Sequence, residues 1–169
     1  MESVILLRGI NVGGHGKLPM KELCGMLEAL GAVEPQSYIQ SGNVVIEGVV
    51  APEMLAGAIE AAKGFRPSVM VFAKADFMRL TEESVFDEPD GKLLHIWFTA
   101  SAFTFDQEKA DSLMAESERL HVTERTIWLH APSGIGRSKL AAKVEALAGV
   151  ACTARNMNTV RKLREMLDG

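Results

Sequence analysis

The chain has few of the residues that mark several common protein classes. Its 169 residues include two cysteines, Cys24 and Cys152, and two tryptophans. Two distant cysteines cannot build a disulfide framework, so we expect a reducing, cytoplasmic location. No apolar run is long enough to cross a membrane and no secretory signal pattern is present, so we expect no membrane partner.

Basic charge is also scarce, because 18 Lys and Arg residues stand against 22 Asp and Glu residues, for a net charge of −4. Indiscriminate coating of DNA depends on many Lys and Arg side chains that displace counterions, so that class of function is excluded. A localised basic patch remains compatible with these numbers. The chain is long enough to bury a core.

Metal and nucleophile sites have no recognisable spacing in the sequence. His15, His95, His121 and His130 form no ligand pattern, and no Ser-His-Asp arrangement is marked. The acidic run at 82–90 is interpreted as a solvated linker rather than a metal cage. We therefore expect neither a metal nor a cofactor.

What the sequence does have is a glycine-rich stretch at 7–19, LRGINVGGHGKLP. It follows an apolar strand and leads into a helix, an arrangement whose backbone amides bind anions. It is not a Walker P-loop, because Asn11 and Leu18 stand where that motif requires Gly and Ser or Thr. We predict a generic anion site with Arg8 and Lys17 as counter-charges. The alternative is a tight loop whose glycines only supply positive φ.

Hydrophobic periodicity predicts the order β-α-β-β-α-β twice, the ferredoxin-like pattern. The predicted fold is therefore α+β, with one unit at 1–75, a connector at 76–91, and a second unit with a closing helix at 92–169. The predicted strands are 4–7, 38–40, 43–46, 68–72, 93–99, 120–122, 126–130 and 150–153. The predicted helices include those starting at 19 and 52 and those at 106–117, 139–148 and 159–167.

This topology predicts which loops meet. With strand order 4-1-3-2, the loop after the first strand lies beside the turn between the second and third. The loop at 9–17 should therefore lie beside the turn at 41–43. In the second unit the loop at 133–138 should lie beside the corner at 155–156. We hypothesise that these two edges face each other across one cleft.

The second unit repeats the combination of glycines and cations. Arg137 and Lys139 flank the start of a predicted helix, where the helix dipole disfavours cations by about 0.3–1 kcal/mol each. Arg161 and Lys162 take the same position in the closing helix. Cations at such positions indicate a bound anion. The alternative is that these side chains extend into solvent and that neighbouring asparagines cap the helices.

These segments define two classes of function. The first is a binding module for a phosphate-bearing ligand, either a nucleotide or a nucleic acid. The second is an enzyme acting on a phosphorylated or acylated small molecule, with His15 as the weak catalytic candidate. A scaffold without a ligand is the third interpretation. The candidate ligand-binding residues are Arg8, Gly9, Asn11, Gly13, Gly14, Lys17, Ser41, Asn43, Arg137, Ser138, Lys139, Arg155, Asn156 and Asn158.

Trp97 and Trp128 fall on the two central strands predicted for the second unit. Alternation along the strands assigns both to one face, together with His95 and His130. Aromatic residues on such strands stack bases in RNA-recognition motifs. The favoured interpretation is that this face is covered by the other unit or by a second copy of the chain, which makes a homo-oligomer a further candidate assembly.

Four blocks carry a resemblance to a known family. They are LLRGINVGG at 6–14, YIQSGNV at 38–44, GRSKL at 136–140 and TARNMNTV at 153–160. In this order and spacing the chain resembles the bacterial family catalogued as domain of unknown function 1697. The resemblance implies an α+β fold and no established activity. One departure is Met157, which stands where the family pattern usually has Trp.

Overall fold

The computed structural model describes residues 1–169 as two antiparallel sheets with six helices. The first sheet and its helices comprise β1 (Glu2–Arg8), α1 (Met20–Ala29), β2 (Val33–Tyr38), β3 (Asn43–Glu47), α2 (Pro52–Lys63), β4 (Ser68–Ala73) and α3 (Lys74–Leu80). The remaining elements are β5 (Leu94–Thr99), α4 (Gln107–Leu113), β6 (Arg119–Val122), β7 (Thr126–His130), α5 (Val144–Ala148), β8 (Cys152–Asn156) and α6 (Met157–Asp168).

The strand orders are β2-β3-β1-β4 and β6-β7-β5-β8. Both are the predicted 4-1-3-2 order, so the α+β fold with two tandem ferredoxin-like units is confirmed. The chain divides into unit 1, Met1–Arg79 with Lys162–Gly169, and unit 2, Leu80–Arg161. The last residues of α6 are therefore grouped with unit 1, whereas the division made from sequence assigned the whole closing helix to the second unit. None of the helices combines the length and apolarity needed to cross a membrane.

Each unit has its own apolar core between its sheet and its helices. In unit 1, Ile5 and Leu7 of β1 pack with Leu23 of α1 and Ile59 of α2. In unit 2 the core joins the strands to α4 and α5. Its fully buried or nearly buried members include Trp97, Ile127, Leu129, Ala110, Val144 and Leu147. Helices and strands could be predicted from the sequence because burial of one face imposes a period of 3.6 residues on a helix and of 2 residues on a strand.

Several element boundaries differ from prediction, and two of them have a local reason. The second strand lies at Val33–Tyr38 instead of 38–40, because Ile39 has a φ of 51° and cannot continue a strand. The helix predicted at 139–148 begins only at Val144, after a 3₁₀ turn at Ala141–Lys143. Both differences bear on the candidate site.

The edge strand β2 is interrupted. Its pairing with β3 shifts register between Val33 and Gln36. Glu34, inside this bulge, has a φ of 50°, and Pro35 follows it without a backbone N–H to donate. The outer edge of this sheet therefore offers no regular row of donors and acceptors.

The two tryptophans do not share a face, so that prediction is wrong. Trp97 lies opposite Ile127, and Ile96 lies opposite Trp128. Residues directly opposite in an antiparallel pair point to the same face, which places the tryptophans on opposite sides of the sheet. They are only 8% and 3% exposed. Trp97 belongs to the core of its own unit, and a base-stacking platform of both tryptophans is excluded. Cover by the other unit or by a second copy stays a prediction.

Candidate functional site

The glycine-rich loop after β1 is a small hairpin. The amide of Val12 donates to the carbonyl of His15 (3.1 Å), and the amide of His15 donates back to Val12 (2.8 Å). Gly13 and Gly14, at the two central positions, have φ of 55° and 80°, as a type I′ turn requires. The amides of Val12 and His15 are therefore used within the hairpin, whereas those of Gly13 and Gly14 form no hydrogen bond within the chain.

Asn11 fixes this hairpin to the rest of unit 1. Its Oδ1 accepts from the Leu18 amide, and its Nδ2 donates to the carbonyls of Leu18 and Gln40, each at 2.8 Å. A methyl group at Gly16 would collide with the carbonyl of Gly9. The carboxamide of Asn11 is thus occupied within the chain, and the loop is held in one conformation.

The predicted meeting of this loop with the turn between β2 and β3 is confirmed. Besides the contact of Asn11 with Gln40, the amide of Leu7 donates to the carbonyl of Gly42 at 2.8 Å. Gly42 has a φ of 94°, and a methyl group there would lie 2.7 Å from Cβ of Leu7. This turn therefore approaches β1 as closely as a glycine allows.

The side chains of Asn43 and Ser41 stabilise the turn between β2 and β3 by hydrogen bonds within it. Asn43 is fully buried, and its Nδ2 donates to the carbonyl of Tyr38 and to Oγ of Ser41, both at 2.9 Å. These two candidate residues thus shape the turn that lies against the hairpin. Their polar atoms are directed at neighbouring chain atoms in these contacts.

The cations of this edge are exposed. Arg8, Lys17 and His15 are all solvent-accessible side chains, and Lys17 forms no ion pair. Residues 3–21 contain no Asp or Glu. The hairpin and the part of β1 that follows Glu2 therefore carry no acidic side chain in a protein whose net charge is −4.

In unit 2 the predicted segments also lie at one sheet edge. The first residues of β5 pair with the last residues of both neighbours, Leu94 with His130 and His95 with Asn156. The loop at 133–138 follows β7 at this edge, and β8 ends at the same edge with Arg155 and Asn156. Both segments therefore leave the sheet at the same edge, as the predicted strand order requires, and their direct contact stays a prediction. The single cleft joining both units stays a prediction.

Arg137 and Lys139 do not lie at a helix N-terminus, so the dipole argument for them is wrong. The side chain of Ser138 accepts a hydrogen bond from Ala141 at 3.0 Å and starts the 3₁₀ turn, while α5 begins later, at Val144, and has only five residues. Arg137 and Lys139 are exposed and form no ion pair. They are surface cations on a loop rather than cations forced against a dipole.

The titration of Arg155 is perturbed by burial. Its side chain is half-buried, and burial lowers its pKa to about 10, so it still carries a charge at neutral pH. Its Nη1 donates to the carbonyl of Ala154 at 2.8 Å. Asn156, the next residue, accepts from the Thr159 amide at 3.1 Å and caps α6. Asn158 is exposed in the first turn of α6.

Arg161 is a structural residue, which corrects its assignment to an anion site. Its guanidinium donates to both carboxylate oxygens of Glu83, at 3.1 and 2.6 Å, and to the carbonyls of Glu88 and Pro89. It lies in the second turn of α6, which begins at Met157. Arg161 thereby ties the acidic run at 82–90 to the helix.

The acidic run is accordingly not a free linker, and sequence reasoning missed its contacts. Oε1 of Glu88 lies 2.9 Å from Nε2 of His130, and the amide of Asp90 donates to Oε2 at 3.1 Å. These hydrogen bonds lower the pKa of Glu88. The ring of Phe86 lies 5.8 Å from His130 and 6.4 Å from Trp128. The available signal was Phe86, an aromatic residue inside a run that is mostly acidic.

Charge is strongly segregated along the second unit and α6. Between positions 125 and 164, Glu145 is the only acidic residue. The basic residues of this range are Arg125, Arg137, Lys139, Lys143, Arg155, Arg161, Lys162 and Arg164.

The fold and the two loop-bearing edges define a class of protein: tandem ferredoxin-like units that each present basic, glycine-containing loops at one end of a sheet. The chain belongs to the family described as protein of unknown function (DUF1697), whose model matches residues 1–128. A solved structure of the conserved bacterial protein SP0830 from Streptococcus pneumoniae is similar in fold, with a TM-score of 0.73 at 24% identity over 98% of each chain. No curated protein matches this chain.

Proposed function

We propose that this protein binds a phosphate-bearing ligand, a nucleotide or a nucleic acid, through the basic loops at the sheet edges. Arg8 and Lys17 supply the charge in unit 1, and Arg137, Lys139 and Arg155 supply it in unit 2. The observation that carries the proposal is that Lys17, Arg137 and Lys139 are exposed and form no ion pair. Elsewhere in the chain, cations such as Lys74 and Arg66 pair with carboxylates.

The rigidity of the hairpin supports the same proposal. A loop held by the three hydrogen bonds of the Asn11 side chain loses little conformational freedom when a ligand binds, so more of the interaction energy appears as affinity. The unbonded amides of Gly13 and Gly14 add two donors beside Lys17 that match phosphate oxygens.

The proposal is tested with the double variant Lys17→Ala/Arg137→Ala in fluorescence anisotropy against a labelled single-stranded oligonucleotide and a labelled nucleotide. Wild-type protein should bind one of them with an affinity that falls as salt rises, and each cation lost should reduce the magnitude of the salt slope by about 1. The double variant should bind at least about tenfold more weakly, because each charged contact contributes 1–3 kcal/mol.

The matched control is Lys109→Ala, which removes an exposed cation of α4 and should leave affinity unchanged. Absence of binding to every phosphate-bearing probe would refute the proposal. If the control variant and the double variant lose the same amount of affinity, the binding is nonspecific and depends only on net charge.

A further inference from the structure

Two exposed aliphatic side chains sit at the tips of the two loops that meet in unit 1. Val12 is 63% exposed at the hairpin and Ile39 is 51% exposed in the turn after β2. Their neighbours in sequence, Asn11 and Gln40, are joined by a hydrogen bond of 2.8 Å. The two apolar tips therefore belong to one tied pair of loops rather than to separate surfaces.

Ile39 occupies a conformation that disfavours its own side chain. Its φ is 51°, in the left-handed region, where a β-branched residue is a genuine outlier. Glycine or asparagine would accept this backbone more readily. An isoleucine that is both strained and exposed contributes neither local stability nor core packing, and strain of this kind concentrates at binding sites.

The surroundings of these tips select the chemistry of a partner. Lys17 is an exposed cation that forms no ion pair, which matches an anionic partner. The amides of Gly13 and Gly14 form no hydrogen bond within the chain. Inserting such donors into the hydrocarbon of a membrane is costly, whereas phosphate and base edges would accept from them. A polyanion with apolar faces fits better than a lipid surface.

We propose that Val12 and Ile39 contact the unstacked bases of a single-stranded nucleic acid while Arg8 and Lys17 neutralise its phosphates. This inference rests on the proposed function and names its ligand class. Single strands suit the geometry because only unstacked bases present their faces to a protruding side chain.

The test compares two labelled ten-nucleotide single strands of equal charge, one with thymine bases and one abasic throughout, in fluorescence anisotropy. Wild-type protein should bind the base-bearing strand at least about fivefold more tightly, because only that strand presents base faces to Val12 and Ile39. Ile39→Gly should bring the two affinities together and leave the affinity for the abasic strand unchanged.

Ile39→Asn is the second variant, because it keeps a side chain in a residue that tolerates positive φ. It should reduce the discrimination in the same way without lowering the melting temperature. Val49→Ser removes an equally exposed aliphatic side chain, 64% exposed, outside the two loops, and should keep the wild-type discrimination.

The outcomes separate the two proposals. Equal binding of both strands by wild-type protein overturns this inference and leaves the proposed function standing, whereas no binding to either strand and none to nucleotides removes both. If the protein binds vesicles containing anionic lipid, and the variants of Ile39 lose that binding, the two loops contact a membrane and the nucleic-acid contact is overturned.

Discussion

At the scale of single residues, Thr126 and Thr153 of unit 2 are both fully buried, but of this pair only Thr126 has a partner for its hydroxyl. Oγ1 of Thr126 accepts from Nε1 of Trp128 at 3.1 Å and lies 2.6 Å from Oγ1 of Thr123. Oγ1 of Thr153 has no hydrogen-bond partner. A buried hydroxyl without a partner loses its hydration and gains nothing in return.

Thr153→Val should therefore stabilise the protein by about 1 kcal/mol, because the variant replaces an unsatisfied hydroxyl by a methyl group of similar size. For a chain of this length the melting temperature should rise by about 2–4 °C, as measured by differential scanning calorimetry. Thr126→Val is the matched control and should destabilise by about 1–3 kcal/mol, since it leaves the indole N–H unpaired. A lower melting temperature for Thr153→Val would contradict this account.

Residue identity predicted that the candidate cations are exposed, but it did not predict where the candidate carboxamides point. Lys17, Arg137 and Lys139 are exposed and without ion pairs, as a solvent-facing charge tends to be. Asn11 and Asn43 look equally suited to a ligand in the sequence, but their carboxamides bond to backbone carbonyls nearby. An amide can satisfy either a ligand or the chain, and only coordinates distinguish the two.

At the scale of elements, the 3₁₀ turn at Gly91–Leu93 packs tightly against the start of α6. A methyl group on Gly91 would collide with the side-chain oxygen and the backbone nitrogen of Asn158. Gly91 is also buried. The turn thus leads into β5 at a point where no side chain fits.

Gly91→Ala should destabilise the protein by about 1–3 kcal/mol, because the added methyl must displace the first turn of a helix. Urea unfolding followed by circular dichroism measures the change in the free energy of unfolding. Gly136→Ala provides the control, since a methyl there would meet no atom within 4 Å, and its stability should match or slightly exceed that of the wild type. Similar losses in both variants would refute the packing explanation.

Elements with a strong period were predictable, and those set by tertiary contacts were not. Pro52 starts α2 and Gly64 ends it with a φ of 80°, as the sequence indicates. The segment at 139–148 has helical periodicity, yet Ser138 initiates a 3₁₀ turn first. The faces of Trp97 and Trp128 depend on the register between β5 and β7, which alternation within each strand does not determine.

At the scale of the whole molecule, two groups make stability depend on pH in separate ranges. Burial lowers the pKa of His95 from its ordinary 6.5. As the pH falls through 6.5, His95 is therefore protonated in the unfolded chain before it is protonated in the folded protein. Hydrogen bonds from His130 and the Asp90 amide lower the pKa of Glu88 from 4.5. In both cases the unfolded state binds more protons, and stability rises with pH.

The free energy of unfolding should therefore fall as the pH decreases below 6.5 and fall again below 4.5. His95→Leu should flatten the upper range and leave the lower one, while Glu88→Gln should do the reverse, so each variant is the control for the other. Urea unfolding at pH 7.5, 5.5 and 4 measures both. A wild-type profile that is flat between pH 7.5 and 5.5 would contradict the assignment to His95.

The topology of the molecule was predictable because strand order follows from short connections and hairpins. The loops at 9–17 and 41–43 meet as that order requires. The ligand was not predictable, because a glycine-rich loop after a strand serves a type I′ turn as well as an anion.

The bulge at Glu34 and Pro35 in β2 also limits how copies of this chain can associate. A neighbouring molecule cannot extend the sheet along β2, because the register of this strand shifts at the bulge and Pro35 has no backbone N–H to donate. Concentrated solutions should consequently resist fibril growth from this side, and any self-assembly must proceed through side chains on another surface.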